Sequence, residues 1–109
     1  MAGLDPNSTA EVNFELVEAD DDALTVTITG ELDITNVDAL ESAVGAALDR
    51  RPRRLIIEVG DLRFADSSAI ALWVRWSTSV PAIELRGVSP ILRRVIDSMG
   101  LADTLNVKP

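Results

Sequence analysis

The residues with chemistry to offer stand in two short stretches, "FADSSA" (Phe64 to Ala69) and "GELD" (Gly30 to Asp33). In the first, Asp66 precedes two hydroxyls, Ser67 and Ser68, where an apolar, strand-like run gives way to a helical pattern. A serine so placed has two ordinary uses. Its hydroxyl can accept hydrogen bonds from the free amides of the first helical turn, the commonest role of serine at a helix start. It can instead stay exposed and be modified, and a phosphate would then add about −1.5 to −2 charge at neutral pH. A third use, as an activated nucleophile, needs a base beside it. The chain has no His, Cys or Tyr, and its single lysine is Lys108. It can assemble neither a Ser-His-Asp triad nor a zinc site of the usual nitrogen or sulfur kind. Carboxylates, hydroxyls and nine arginines remain. They admit a carboxylate-only magnesium site or a glycosidase-like acid pair. That is a thin basis for a stand-alone enzyme, and neither a cofactor nor a resident metal is expected.

A chain of 109 residues with 47% hydrophobic residues has room for one core and not for two. We expect residues 1–10 to be a flexible tail and residues 11–109 a single domain. The start, "MAGLDPNSTAEVNF", lacks the basic-then-apolar layout of a signal peptide, and no apolar run approaches the roughly 20 residues of a membrane span. The expectation is a cytoplasmic protein, so the sequon Asn7-Ser8-Thr9 is read as a chance match. Absence of cysteine suits a reducing compartment. Charge is segregated: residues 1–49 hold 12 acidic and no basic side chains, whereas residues 50–109 hold 6 acidic and 10 basic. A net charge of −8 disfavours nucleic acid as a direct ligand. The cluster Arg50, Arg51, Arg53 and Arg54 fits a helix C-terminus and the loop after it better than a nucleic-acid patch. Much of the acidic surface suits a protein partner with basic residues.

The elements that must position the two stretches follow from periodicity. Val12, Phe14 and Leu16 alternate with polar residues, as do Leu24, Val26 and Ile28, and the acidic turn between them makes a hairpin. Val37, Leu40, Val44, Ala47 and Leu48 fall at helical spacing, with Thr35 or Asn36 as N-cap. "RLIIEVG" reads as a strand covered on both faces. A second helix begins near Ser67, "AIELRG" forms another strand, and Ser89-Pro90 opens a third helix. Ile91, Leu92, Val95, Ile96 and Met99 are its apolar face, and Gly100 ends it. The type of the closing "LADTLNV" stays open. After the hairpin this is a βαβαβ series, hence an α/β fold whose sheet is mostly parallel. In such folds ligands and partners bind at the loops beyond the strand ends, where "GELD" and "FADSSA" lie.

"TGELDITN", "LIIEVGDLRFADSSAIAL" and "ELRGVSPILRRVIDSMGL", in that order, resemble the STAS domain of bacterial anti-sigma factor antagonists. The likeness runs from about Val12 to Leu105. It implies the STAS fold: a four- to five-stranded, mostly parallel sheet opened by an N-terminal hairpin and packed by about three to four helices. It also implies a function. The unphosphorylated antagonist binds an anti-sigma factor, itself a serine kinase, and so frees a sigma factor in stress or sporulation-type signalling. Phosphorylation of the serine after the motif's aspartate ends that binding, and a serine phosphatase restores it. On this chain the acceptor is Ser67, with Ser68 as runner-up, Asp66 before it and the Asp33 loop within the docking surface.

Two features depart from the family. Ala69 stands where members usually carry glycine; it stiffens the first helical turn by roughly 1 kcal/mol, and its methyl group could narrow a kinase's access. The second helix also carries two tryptophans. Ile70, Trp73, Val74 and Ser77 form one stripe, whereas Ala69, Leu72 and Trp76 share a neighbouring face. We expect Trp73 in the core and Trp76 in an exposed partner-binding patch with Ala69 and Leu72. Beside the switched antagonist stands an unswitched STAS scaffold or small-ligand sensor. In that case Ser67 is only a cap, and Asp33 a turn former.

Overall fold

The computed structural model describes residues 11–19 and 21–108. The expected tail at 1–10, with its sequon, lies outside the described residues. Strands β1 (Val12–Glu18) and β2 (Ala23–Leu32) form the expected antiparallel hairpin, with Val12 opposite Gly30 and Glu18 opposite Leu24. Helix α1 (Val37–Leu48) follows, then β3 (Arg54–Glu58), β4 (Leu62–Ala65), α2 (Ser67–Ser77), β5 (Ala82–Arg86) and α3 (Pro90–Ser98). The sheet order is β1-β2-β3-β5, and β4 pairs with β2. Every pair except the hairpin is parallel, as helical crossovers require. The closing segment runs in turns to Val107, which bridges to Leu85 at the outer edge of β5.

One core lies under all three helices. Leu24, Val26 and Ile28 on β2 and Leu55 and Ile57 on β3 share it with Val37, Leu40 and Val44 of α1, Trp73 of α2 and Ile96 of α3. Each fully buried side chain of this kind contributes about 1.5–3 kcal/mol relative to exposure. The other face of the sheet is polar. Register sets Thr25 beside Ile56 and Thr27 beside Glu58, and Ile56 and Glu58 in turn beside Glu84 and Arg86. On that face Ile56 is buried between Thr25 and Glu84, so β3 is covered there by neighbouring strands and not by helices.

Two sequence expectations change here. The fifth strand, β4, falls within the four- to five-stranded sheet that the resemblance implies, but residue periodicity did not mark it as a separate element. It has four residues, two of them exposed (Arg63 and Phe64), so it carries neither a continuous apolar run nor a full alternation. In addition, β2 does not end at Gly30 but continues through Leu32. It can do so because Gly30 adopts φ 93° at a register shift, where Glu31 N–H donates to Glu11 O at 2.8 Å. A Cβ at position 30 would lie 2.3 Å from Glu11 O. Gly30→Ala is therefore expected to destabilise the protein by about 1–3 kcal/mol from the backbone conformation, with the clash added. In urea unfolding the midpoint should fall with little change in slope; an unchanged midpoint would show that the bulge relaxes freely.

Candidate functional site

Strand β2 presents one edge to two successive partners. Its first half pairs with β3 and its last residues with β4, Gly30 opposite Leu62 and, after the register shift, Glu31 opposite Phe64 and Leu32 opposite Ala65. Asp66 N–H then donates to Leu32 O at 3.3 Å. The chain thus leaves β2 into Asp33 and leaves β4 into Asp66 at the same end of the sheet. The two stretches singled out in the sequence meet there.

Each loop is organised by its own aspartate. Asp33 Oδ1 accepts from Thr35 N–H at 2.8 Å and from the Thr35 hydroxyl at 2.6 Å. Asp33 N–H donates to Asn36 Oδ1 at 3.0 Å, and Asn36 Nδ2 donates to Glu31 O at 2.8 Å. Asn36 is the N-cap residue of α1, yet its side chain braces the preceding turn and does not cap the helix. Asp33 is therefore a turn former, with a half-buried side chain at the surface of the loop.

Asp66 has a wider reach. Its Oδ1 accepts from Ser68 N–H at 2.9 Å and Ala69 N–H at 3.2 Å, which caps α2. Its Oδ2 accepts from Ile34 N–H at 3.3 Å, which ties the α2 start to the Asp33 loop. The aspartate does the capping, so both serine hydroxyls are left without a hydrogen bond among the described residues. Ser67 is exposed and Ser68 half-buried, which makes Ser67 the more accessible hydroxyl. Ile34, 72% exposed, projects from the loop held by Asp66 and was not picked out from the sequence. An isoleucine between Asp33 and Thr35, inside a polar turn, was the available signal.

The expected patch on α2 is overturned. Trp76 is 3% exposed, and Ala69 and Leu72 are fully buried. The helix packs on β4 and β5 with one flank and on α1 with another, so its apolar arc spans about 160° at 100° per residue, wider than a single stripe. Trp73 is in the core as expected, and its Nε1 has no hydrogen-bond partner. With its methyl group inside the protein, Ala69 does not obstruct an approach to Ser67. Among the described residues no cluster of three or more metal-ligating side chains occurs, and no helix is long and apolar enough to cross a membrane.

The family model described as "Mlab, STAS domain" matches residues 15–107. The chain belongs to the STAS family. Solved STAS structures agree with its fold. An anti-sigma factor antagonist from Mycobacterium paratuberculosis superposes with a TM-score of 0.83 at 24% identity, over 91% of this chain and 86% of that one. The antagonist SpoIIAA in its unphosphorylated form gives 0.74 at 22% identity, over 89% of each chain. The Bacillus cell fate determinant SpoIIAA in its phosphorylated form gives 0.69 at 22% identity, over 89% of this chain and 92% of that one. Comparison with curated proteins returns no match. At these identities the structural likeness is one of fold.

The two roles of Asp66 in this STAS domain are separable. Asp66→Asn keeps an acceptor for the capped amides but turns an amide donor toward Ile34 N–H, whereas Asp66→Ala loses both. Asp66→Ala should cost about 1–2 kcal/mol in chemical denaturation, Asp66→Asn roughly half of that, and Ser67→Ala within about 0.5 kcal/mol of zero. Equal losses for Asp66→Ala and Ser67→Ala would return the cap to the serine.

Proposed function

We propose that this single STAS domain, residues 11–109, is an anti-sigma factor antagonist switched at Ser67. Unphosphorylated, it binds an anti-sigma factor serine kinase and releases a sigma factor for transcription. Phosphorylated, it lets the kinase go, and a serine phosphatase resets it. The protein is then a substrate and a binding module in the cytoplasm, not an enzyme. The observation that carries this reading is the Ser67 hydroxyl: exposed at a helix N-terminus and unused by the fold, because Asp66 does the capping.

Electrostatics gives the switch its direction. The N-terminus of α2 tolerates added negative charge, so a phosphate on Ser67 leaves the domain folded. A partner seated on the same loops meets a dianion beside the Asp66 carboxylate and near Asp33. Ile34 supplies an apolar anchor at that position, worth about 1.5–3 kcal/mol if buried on binding. Ser68 is the weaker acceptor because its side chain is half-buried against the helix start.

Incubation with a cognate anti-sigma kinase and ATP should place the phosphate on Ser67, located by mass spectrometry. Ser67→Ala should bind the kinase as the parent does, and Ser67→Glu about a hundredfold more weakly, a difference near 2.7 kcal/mol. Equal affinities for the two variants, or label on another residue, would favour the unswitched STAS scaffold or ligand sensor.

A further inference from the structure

Strand β4 and helix α3 leave between them an open groove of about 410 Å³. Leu62 and Phe64 line it from β4, and Ile91, Leu92 and Val95 from α3. The residues expected to bury the apolar face of α3 do not all do so. Ile96 is buried and Leu92 half-buried, but Ile91 is 76% exposed, and Val95 and Met99 are exposed as well. Ile91, Val95 and Met99 follow one another at i, i+4 and i+8, a stripe of about 12 Å along the helix. Phe64, 53% exposed, extends the stripe across to β4. An apolar patch of this extent on a small domain marks an interaction surface.

The charge around the groove narrows the occupant. Among the described residues Arg63 is the only charged one that lines it, and no carboxylate does, in a chain whose net charge is −8. Arg94, three residues after Ile91, borders the stripe on its solvent side and forms no ion pair among the described residues. Arg63 stands 3.8 Å from Glu31, an exposed pair that a partner's carboxylate can exchange at little cost. A second copy of this chain fits poorly, because pairing α3 with α3 sets arginines against arginines. An anionic bilayer fits poorly too, since two arginines must hold a protein of charge −8 against the surface potential.

We propose that the β4–α3 groove docks an amphipathic helix of a protein partner, with an apolar stripe flanked by carboxylates. Apolar contact with Phe64, Ile91 and Val95 supplies affinity, and Arg63 and Arg94 select for acidic flanks. The surface is distinct from Ser67, and its test needs neither kinase nor phosphate.

The probe is a synthetic peptide of about 16 residues, with leucines at helical spacing and glutamates flanking them, beside a twin carrying lysines. Titrated into the full chain and followed by amide chemical shifts, the glutamate peptide should perturb Phe64, Ile91 and Val95. It should bind about tenfold more tightly than the lysine twin. Ile91→Glu should abolish binding, whereas Val17→Glu, at another exposed apolar position, should not. The double variant Arg63→Glu/Arg94→Glu should invert the preference between the peptides. All four substitutions are at side chains not buried in the core, and an unchanged circular dichroism melt checks that the variants fold. The proposal fails if neither peptide shifts the groove amides or both bind alike. It fails equally if Ile91 governs binding to phosphatidylglycerol vesicles, or dimerisation in sedimentation velocity.

Discussion

Strand β2 must serve two edges and three partners. One edge is taken by β1 along most of its length, and the other is shared end to end by β3 and β4. Within the β4 pairing the register shifts between Gly30 and Glu31, and the left-handed conformation of Gly30 accommodates that shift. Because β4 pairs with the last residues of β2, Leu32 and Ala65 stop side by side. Two loops that are 33 residues apart in sequence, counting from Asp33 to Asp66, therefore share one surface. Without that pairing the Asp66 carboxylate could not reach Ile34 N–H, and the start of α2 would be fixed only by its own turn.

A division of labour follows at the helix start. The common expectation for an Asp-Ser-Ser sequence is that a serine caps, yet the aspartate one position earlier has the right extended backbone and takes both amides. The Ser67 hydroxyl is left exposed, with Ser68 half-buried beside it. In physical terms the residue that stabilises the site and the residue available for modification are neighbours but not the same. A switch that leaves the fold intact requires such a separation.

Much of the fold was legible from residue patterns, because the two hairpin strands and α1 carry clear periodicities, β3 is a short apolar run, and Ser89-Pro90 is a strong helix start. The sequence resemblance located Ser67 and the Asp33 loop, and the structure sets them together. Short-range patterns failed where long-range packing decides. Strand β4 exists through pairing with β2, not through its own alternation. Trp76 is buried because α1 lies against a second flank of α2, which a single-helix wheel cannot reveal. The reverse holds for α3, whose stripe is apolar enough to be core, but the sheet offers cover only to Ile96 and part of Leu92. Ile34 was hidden because an apolar residue in a turn carries no periodic signal.

The strand order β1-β2-β3-β5 does something further to the uneven charge of the chain. Because β3 and β4 both lie against β2, the arginine-bearing half of the sequence is folded onto the acidic half. Among the described residues Arg50 pairs with Glu18, Arg54 with Asp21, Arg63 with Glu31 and Arg75 with Glu41, each joining one half to the other. Charge that is segregated along the chain thus becomes mixed across the folded surface. These pairs are exposed and individually weak, and salt screens them further as the Debye length falls below about 10 Å. Ionic strength therefore acts on the seam between the two sequence halves more than on either half alone.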